Sequence, residues 1–124
     1  MEKNGIVSLW LGNAENIEQL DNYVELKYDD EGESIPSEFL LDFQIDMDDI
    51  DEDFIEKAVL DKKYDSFTSL LKDASYEEKI IPKLLKDYSI ENDYNAVILL
   101  YNFEYEGKTM VANNFDFIAS VSYI

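Results

Sequence analysis

Apolar residues first gather at Ile6–Leu11. There Val7, Leu9 and Leu11 hold one parity and Ile6, Ser8 and Trp10 the other. A run apolar on both parities predicts an interior strand covered on both faces. The period then lengthens. Ile17, Leu20, Val24 and Tyr28 recur at helical spacing, with Glu18, Gln19, Asp21, Asn22 and Glu25 between them. This predicts a helix over Ala14–Leu26, with Asn13 as its N-cap and Glu15 in its first turn. An acidic, turn-rich connection runs from Asp29 to Pro36, and Ser37 then caps a short helix over Glu38–Phe43. Farther on, Tyr64, Phe67, Leu70 and Leu71 make a stripe that predicts a helix over Ser66–Lys72, with Asp65 as its cap. Ser75 and Glu78 fit a capping box before Ile80, Ile81, Leu84, Leu85 and Tyr88, so a helix over Tyr76–Asp87 is expected, bent by Pro82.

The last third changes period again. Asn95–Glu106 is rich in β-branched and aromatic residues, and Tyr101, Phe103 and Tyr105 alternate with Asn102, Glu104 and Glu106. Gly107 and Lys108 mark a turn. Phe115, Phe117, Ala119, Val121 and Tyr123 then share one parity of a second strand, Phe115–Ile124. Two strands alone are marginal in water. The expected fold class is therefore α+β: one domain over residues 1–124, its N-terminal strand joined with a C-terminal antiparallel hairpin and covered by helices from the middle of the chain.

One stretch fits none of these periods. From Asp42 to Glu56 the acids are Asp42, Asp46, Asp48, Asp49, Asp51, Glu52, Asp53 and Glu56, with no Lys inside. Such a run repels itself, so its folding calls for a compensating cation or basic partner. Its Asp-rich first half is poor in helix propensity. Asp51 or Asp53 is placed to cap a turn running on through Phe54.

Charge widens this picture to the whole chain. Ten Lys stand against 29 Asp and Glu, a formal net charge of −19, and there is no Arg or His. Nucleic acid is not expected as a direct ligand, because binding it requires neutralising phosphates. Nor is an anionic membrane surface expected, for the same reason. A basic protein is the natural partner, since the field steers it in. With no Cys and no His, Cys/His zinc sites, Ser-His-Asp and Cys-His nucleophiles and histidine acid/base chemistry are absent. The first apolar run is too short for a secretory signal and no stretch reaches the roughly 20 apolar residues of a membrane span, so a cytoplasmic protein is expected.

The residues Val7-Ser8-Leu9-Trp10-Leu11-Gly12, Ile35-Pro36-Ser37-Glu38-Phe39 and Asp51-Glu52-Asp53-Phe54-Ile55-Glu56, with the tyrosine-rich C-terminal hairpin, resemble the immunity protein 22 family of bacterial polymorphic toxin systems. The resemblance spans most of the chain. It implies a cytoplasmic antitoxin without enzymatic activity or cofactor, which binds and neutralises a cognate toxin, often a nuclease with a basic active-site cleft.

The candidate partner-binding residues are Asp46, Asp48, Asp49, Asp51, Glu52, Asp53 and Glu56. The plainer reading of the same cluster is a solvated loop that keeps the protein soluble. A Ca²⁺ loop is a poor fit: starting at Asp46 puts Asp51 where the Gly belongs and Lys57 at position 12. Trp10 reads as core or as an interface hot spot, and Gly12 as the residue that lets the chain turn into the first helix. Tyr101, Tyr105, Tyr123 and Phe103 read as cross-strand core or as an aromatic binding patch. Asp51 and Asp53 as a glycosidase-type pair have no inferable pocket. The competing function is an acidic adaptor or nucleic-acid mimic that binds basic proteins generally. An exposed hairpin edge leaves room for a homodimer.

Overall fold

The computed structural model describes residues 2–124. In chain order its elements are β1 (Glu2–Gly12), α1 (Ile17–Val24), β2 (Lys27–Tyr28), β3 (Ser34–Ile35), α2 (Glu38–Asp42), β4 (Ile55–Tyr64), α3 (Phe67–Leu70), α4 (Glu77–Asp87), β5 (Tyr94–Phe103), β6 (Val111–Ala112) and β7 (Phe115–Ser122). Two 3-10 turns, Met47–Asp49 and Glu52–Phe54, lie between α2 and β4. The main sheet is antiparallel, in the order β4-β5-β1-β7-β6, and β2 and β3 form a separate ribbon. The mixed α+β class is as the sequence predicts.

The pairing differs in one respect. β5 and β7 are not neighbours, because β1 lies between them: Val7 pairs with Tyr101 on one side and Val121 on the other. The C-terminal hairpin is instead β6 with β7. β6 is so short that it covers only the start of β7. The outer edges are therefore β4 and the rest of β7.

Helices cover both faces of the sheet. On one face, Leu20, Tyr23 and Val24 of α1 and Phe39 and Leu40 of α2 pack around Trp10, Ile98 and Leu100. On the other, Phe67, Leu70, Ile80 and Leu84 of α3 and α4 pack on Val7, Leu9, Leu11, Val97 and Leu99. This double covering is why β1 and β5 read as continuous apolar runs rather than alternating ones.

Trp10 is fully buried and is core. Its ring meets Phe39 at 4.9 Å, Phe117 at 5.2 Å and Tyr105 at 5.3 Å between centroids. Gly12 is required by close approach rather than by a turn. A Cβ there would lie 2.4 Å from the Asn114 carbonyl and from the Phe115 ring.

Two sites break the strand alternation. Asn102 has a left-handed φ of +60°, which sends Tyr101 to the α3–α4 face and Phe103 and Tyr105 to the α1–α2 face. In β7 the register slips between Leu9↔Ala119 and Trp10↔Phe117, so Ile118 is an extra residue. Phe115 and Phe117 therefore face α1 and α2, whereas Ala119, Val121 and Tyr123 face α3 and α4. Ser37 caps α2 as expected, accepting from the Leu40 N–H at 3.3 Å. Helix α1 starts later than expected and is capped by Asn16, not Asn13. The Asn13 N–H donates to Asn114 O at 3.2 Å, at the end of the sheet. Ser66, not Asp65, caps α3.

Candidate functional site

The acidic segment folds because its apolar residues are anchored. Phe43 and Ile45 are buried, and Met47, Ile50 and Ile55 pack partly buried against the α1–α2 core. Between these anchors the acids point outward. Asp46, Asp48, Asp49, Asp51, Glu52 and Asp53 are all exposed. Two of them supply the local order. The Asp46 carboxylate accepts from the Asp48 N–H at 2.9 Å, and Asp51 accepts from the Asp53 N–H at 2.9 Å. Each thereby starts a 3-10 turn, the role that short acidic side chains play at helix beginnings. Asp51 is thus the cap that the sequence offers before Phe54. Apolar anchoring and these two caps are the local contacts that hold the segment. No three acids among the described residues converge to hold a metal ion.

The chain beyond Phe54 is a strand, β4, where the sequence suggests a continued turn. Its alternation separates neighbours. Lys57 faces α1 and its ammonium lies 3.3 Å from Asp21 and 3.5 Å from Glu25. Glu56 faces the other way. Its carboxylate accepts from the Tyr101 hydroxyl at 2.7 Å, the Ser75 N–H at 3.1 Å and the Ser75 hydroxyl at 3.3 Å. Ser75 thus donates to Glu56, and α4 begins one residue too late for Ser75 to cap it. Tyr76 occupies the cap position with a left-handed φ of +60° and no side-chain cap bond.

This turn places Tyr76 over two other tyrosines. Its ring centroid is 4.8 Å from Tyr123 and 5.9 Å from Tyr101, and those two lie 5.2 Å apart, edge to face. Burial, reinforced by the Glu56 hydrogen bond and charge, pushes the Tyr101 phenol far above its usual range, so it stays a donor. Together with Asp53, Phe54 and Glu56, these rings line a recess of about 450 Å³. The structure thus arranges the seven predicted acids as an exposed ridge of six, with the half-buried Glu56 at its end.

A family model described as Immunity protein 22 matches residues 7–123. The chain belongs to the immunity protein 22 family. No curated protein and no solved structure matches it. Of the residues through which the chain resembles the immunity protein 22 family, Trp10, Gly12, Ser37 and Phe39 are buried in the framework. Asp51, Glu52 and Asp53 are on the surface. An immunity protein implies a toxin as partner. Among the described residues no helix is long and apolar enough to cross a membrane.

Sequence reasoning passed over Ser75 and Tyr76 as site residues. It grouped Tyr101 and Tyr123 with Tyr105 and Phe103, which the structure assigns to the opposite face. The missing signals were Asn102 and Ile118, whose irregular backbone redirects the side chains that follow.

Proposed function

We propose that this protein is an antitoxin that binds a cognate toxin and blocks it. In this reading Asp46, Asp48, Asp49, Asp51, Glu52 and Asp53, with Glu56 at their end, meet a basic active-site cleft such as that of a nuclease. It acts in the cytoplasm as an inhibitor, without catalysis of its own. The family match over residues 7–123 carries the reading. The ridge supplies the surface: six outward carboxylates whose nearest sequence neighbour of opposite charge, Lys57, is occupied with Asp21 and Glu25. Close carboxylates facing several cations raise the association rate and fix which partners are tolerated, more than they raise raw affinity.

The test begins with capture from the producing bacterium at low salt, followed by a high-salt wash and mass spectrometry. One basic toxin domain that survives the wash is the expected result. A broad set of basic proteins, all lost in salt, would favour a general polyanion that acts as an adaptor or nucleic-acid mimic. With the toxin in hand, Asp49→Lys plus Asp53→Lys changes the net charge from −19 to −15, since each reversal adds 2. The double variant is expected to lower the association rate constant at least about tenfold at low salt and to flatten its salt dependence. An unchanged rate constant would remove the ridge from the mechanism.

A further inference from the structure

The recess at the end of the ridge has a chemistry of its own. It is walled by aromatic rings and floored by a carboxylate. Tyr76 and Phe54 line it with 50% and 46% of their surface exposed, so both rings are accessible. Glu56 is held rigidly by three neutral donors: the Tyr101 hydroxyl, the Ser75 N–H and the Ser75 hydroxyl. They orient the carboxylate without cancelling its charge. Lys57 also lines the recess, but its ammonium is held 3.3 Å from Asp21 and 3.5 Å from Glu25, and among the described residues Glu56 makes no ion pair. Asp53 adds a second carboxylate at the mouth.

The backbone adds a separate observation. A tyrosine at a left-handed φ of +60° is strained, at a cost of order 1 kcal/mol or more. The strain turns the chain out of Ser75, whose N–H and hydroxyl are spent on Glu56, and delivers the Tyr76 ring against Tyr123. Glycine or asparagine would suit that backbone better but could not supply the wall.

We propose that this recess receives one arginine side chain of the bound partner, its guanidinium stacked on Tyr76 and Phe54 and paired with Glu56 and Asp53. For the partner's identity this rests on the toxin-binding reading; the chemistry of the recess does not. Arginine fits better than lysine for two reasons. A guanidinium is flat and weakly hydrated, so it stacks on ring faces at little desolvation cost. Its fork of donors reaches two carboxylates at once, whereas an ammonium is a strongly hydrated point charge. The ridge then attracts a basic surface broadly, and the recess reads a single residue within it.

The experiment needs no toxin. The isotope-labelled protein is titrated at low salt with N-acetyl-arginine amide, and amide shifts are followed by NMR. N-acetyl-citrulline amide, of nearly the same shape but neutral, and N-acetyl-lysine amide are the comparisons. Saturable shifts are expected at Asp53, Glu56, Ser75, Tyr76 and Tyr123, weaker with lysine and absent with citrulline. Tyr76→Gly removes the ring while suiting the left-handed backbone, and is expected to weaken arginine binding about fivefold. Glu56→Gln keeps an acceptor for Ser75 and Tyr101 and is expected to weaken it about tenfold. Shifts spread evenly over Asp29–Glu33 and the ridge, equal binding of citrulline, or unchanged binding in both variants would overturn the recess. Those results would leave toxin capture untouched. Arginine binding in the recess with no toxin captured would instead uphold the recess and overturn the immunity reading.

Discussion

Ser8 shows how much one small polar side chain can hold. It is fully buried in β1, the middle strand. Its hydroxyl donates to the Phe103 carbonyl at 2.8 Å, accepts from the Tyr105 N–H at 3.0 Å and lies 2.7 Å from the Ser120 hydroxyl. It thus ties the point where β5 leaves the ladder to both flanking strands. Ser8→Ala strands a carbonyl and an N–H without water, and is expected to cost about 2 kcal/mol. A lowered urea midpoint at constant m would show it; an unchanged midpoint would mean the bend relaxes freely. The buried tyrosines give a second prediction at this scale. Burial, then the Asp42 bond, raises the Tyr23 phenol, and burial, then the Glu56 bond, raises Tyr101. Both are raised above the ordinary 10.0, so below pH 10 the folded and unfolded chains are equally protonated and their contribution is complete. Above it only the unfolded chain ionises, and stability falls as pH rises. Tyrosinate absorbance from these two residues should appear together with loss of the native circular dichroism. Their free titration near pH 10 in the folded protein would contradict the assignment.

At the scale of elements, legibility follows covering. β1 and β5 are buried on both faces, so their apolar runs stand out from the sequence. Ser37 and the buried Phe39 and Leu40 marked α2 because cap and core contact are local. β4 did not stand out. It is an edge strand, paired only with β5, and between Val59 and Tyr64 it leaves the ladder through Asp61, Lys62 and Lys63. Charges in that position blunt an edge against other strands and also erase its alternating pattern. The capping box of Ser75 and Glu78 was a local match that did not form: the Ser75 N–H that Glu78 would have accepted donates to the distant Glu56, and the cap position falls on Tyr76. The acids of the ridge were legible one by one. Their meeting with Tyr76, Tyr101 and Tyr123 was not, because it depends on strand order. Helix α4 carries Pro82 in its interior, which leaves the Glu78 carbonyl without its helical donor. Pro82→Ala is expected to stabilise the protein by about 1–2 kcal/mol, the gain in helix reduced by added freedom in the unfolded chain. Thermal unfolding would read it as a melting temperature several degrees higher. A lower one would show that the proline is needed for the way α4 lies on the sheet.

Over the whole molecule, repulsion outweighs pairing. A net charge of −19 is spread over 124 residues, against ion pairs made by Lys3 and Lys57 at the surface. Such exposed pairs contribute about 0–1 kcal/mol each. Added salt screens both, and since the repulsive terms are far more numerous, molar sodium chloride at neutral pH should raise the urea midpoint. A lowered midpoint would mean that the Lys57 pairs with Asp21 and Glu25 dominate instead.

The position of β1 sets a timetable for the protein's birth. The strand synthesised first is the one that ends in the middle, and both strands that flank it, β5 and β7, emerge last. While the ribosome works, Val7, Leu9, Trp10 and Leu11 have no ladder to join. Closing loops of that length costs entropy before any contact repays it, so the sheet assembles late and slowly compared with a helical bundle of equal size. Until β5 and β7 arrive this apolar run is uncovered, and a net charge of −19 disfavours association between nascent copies.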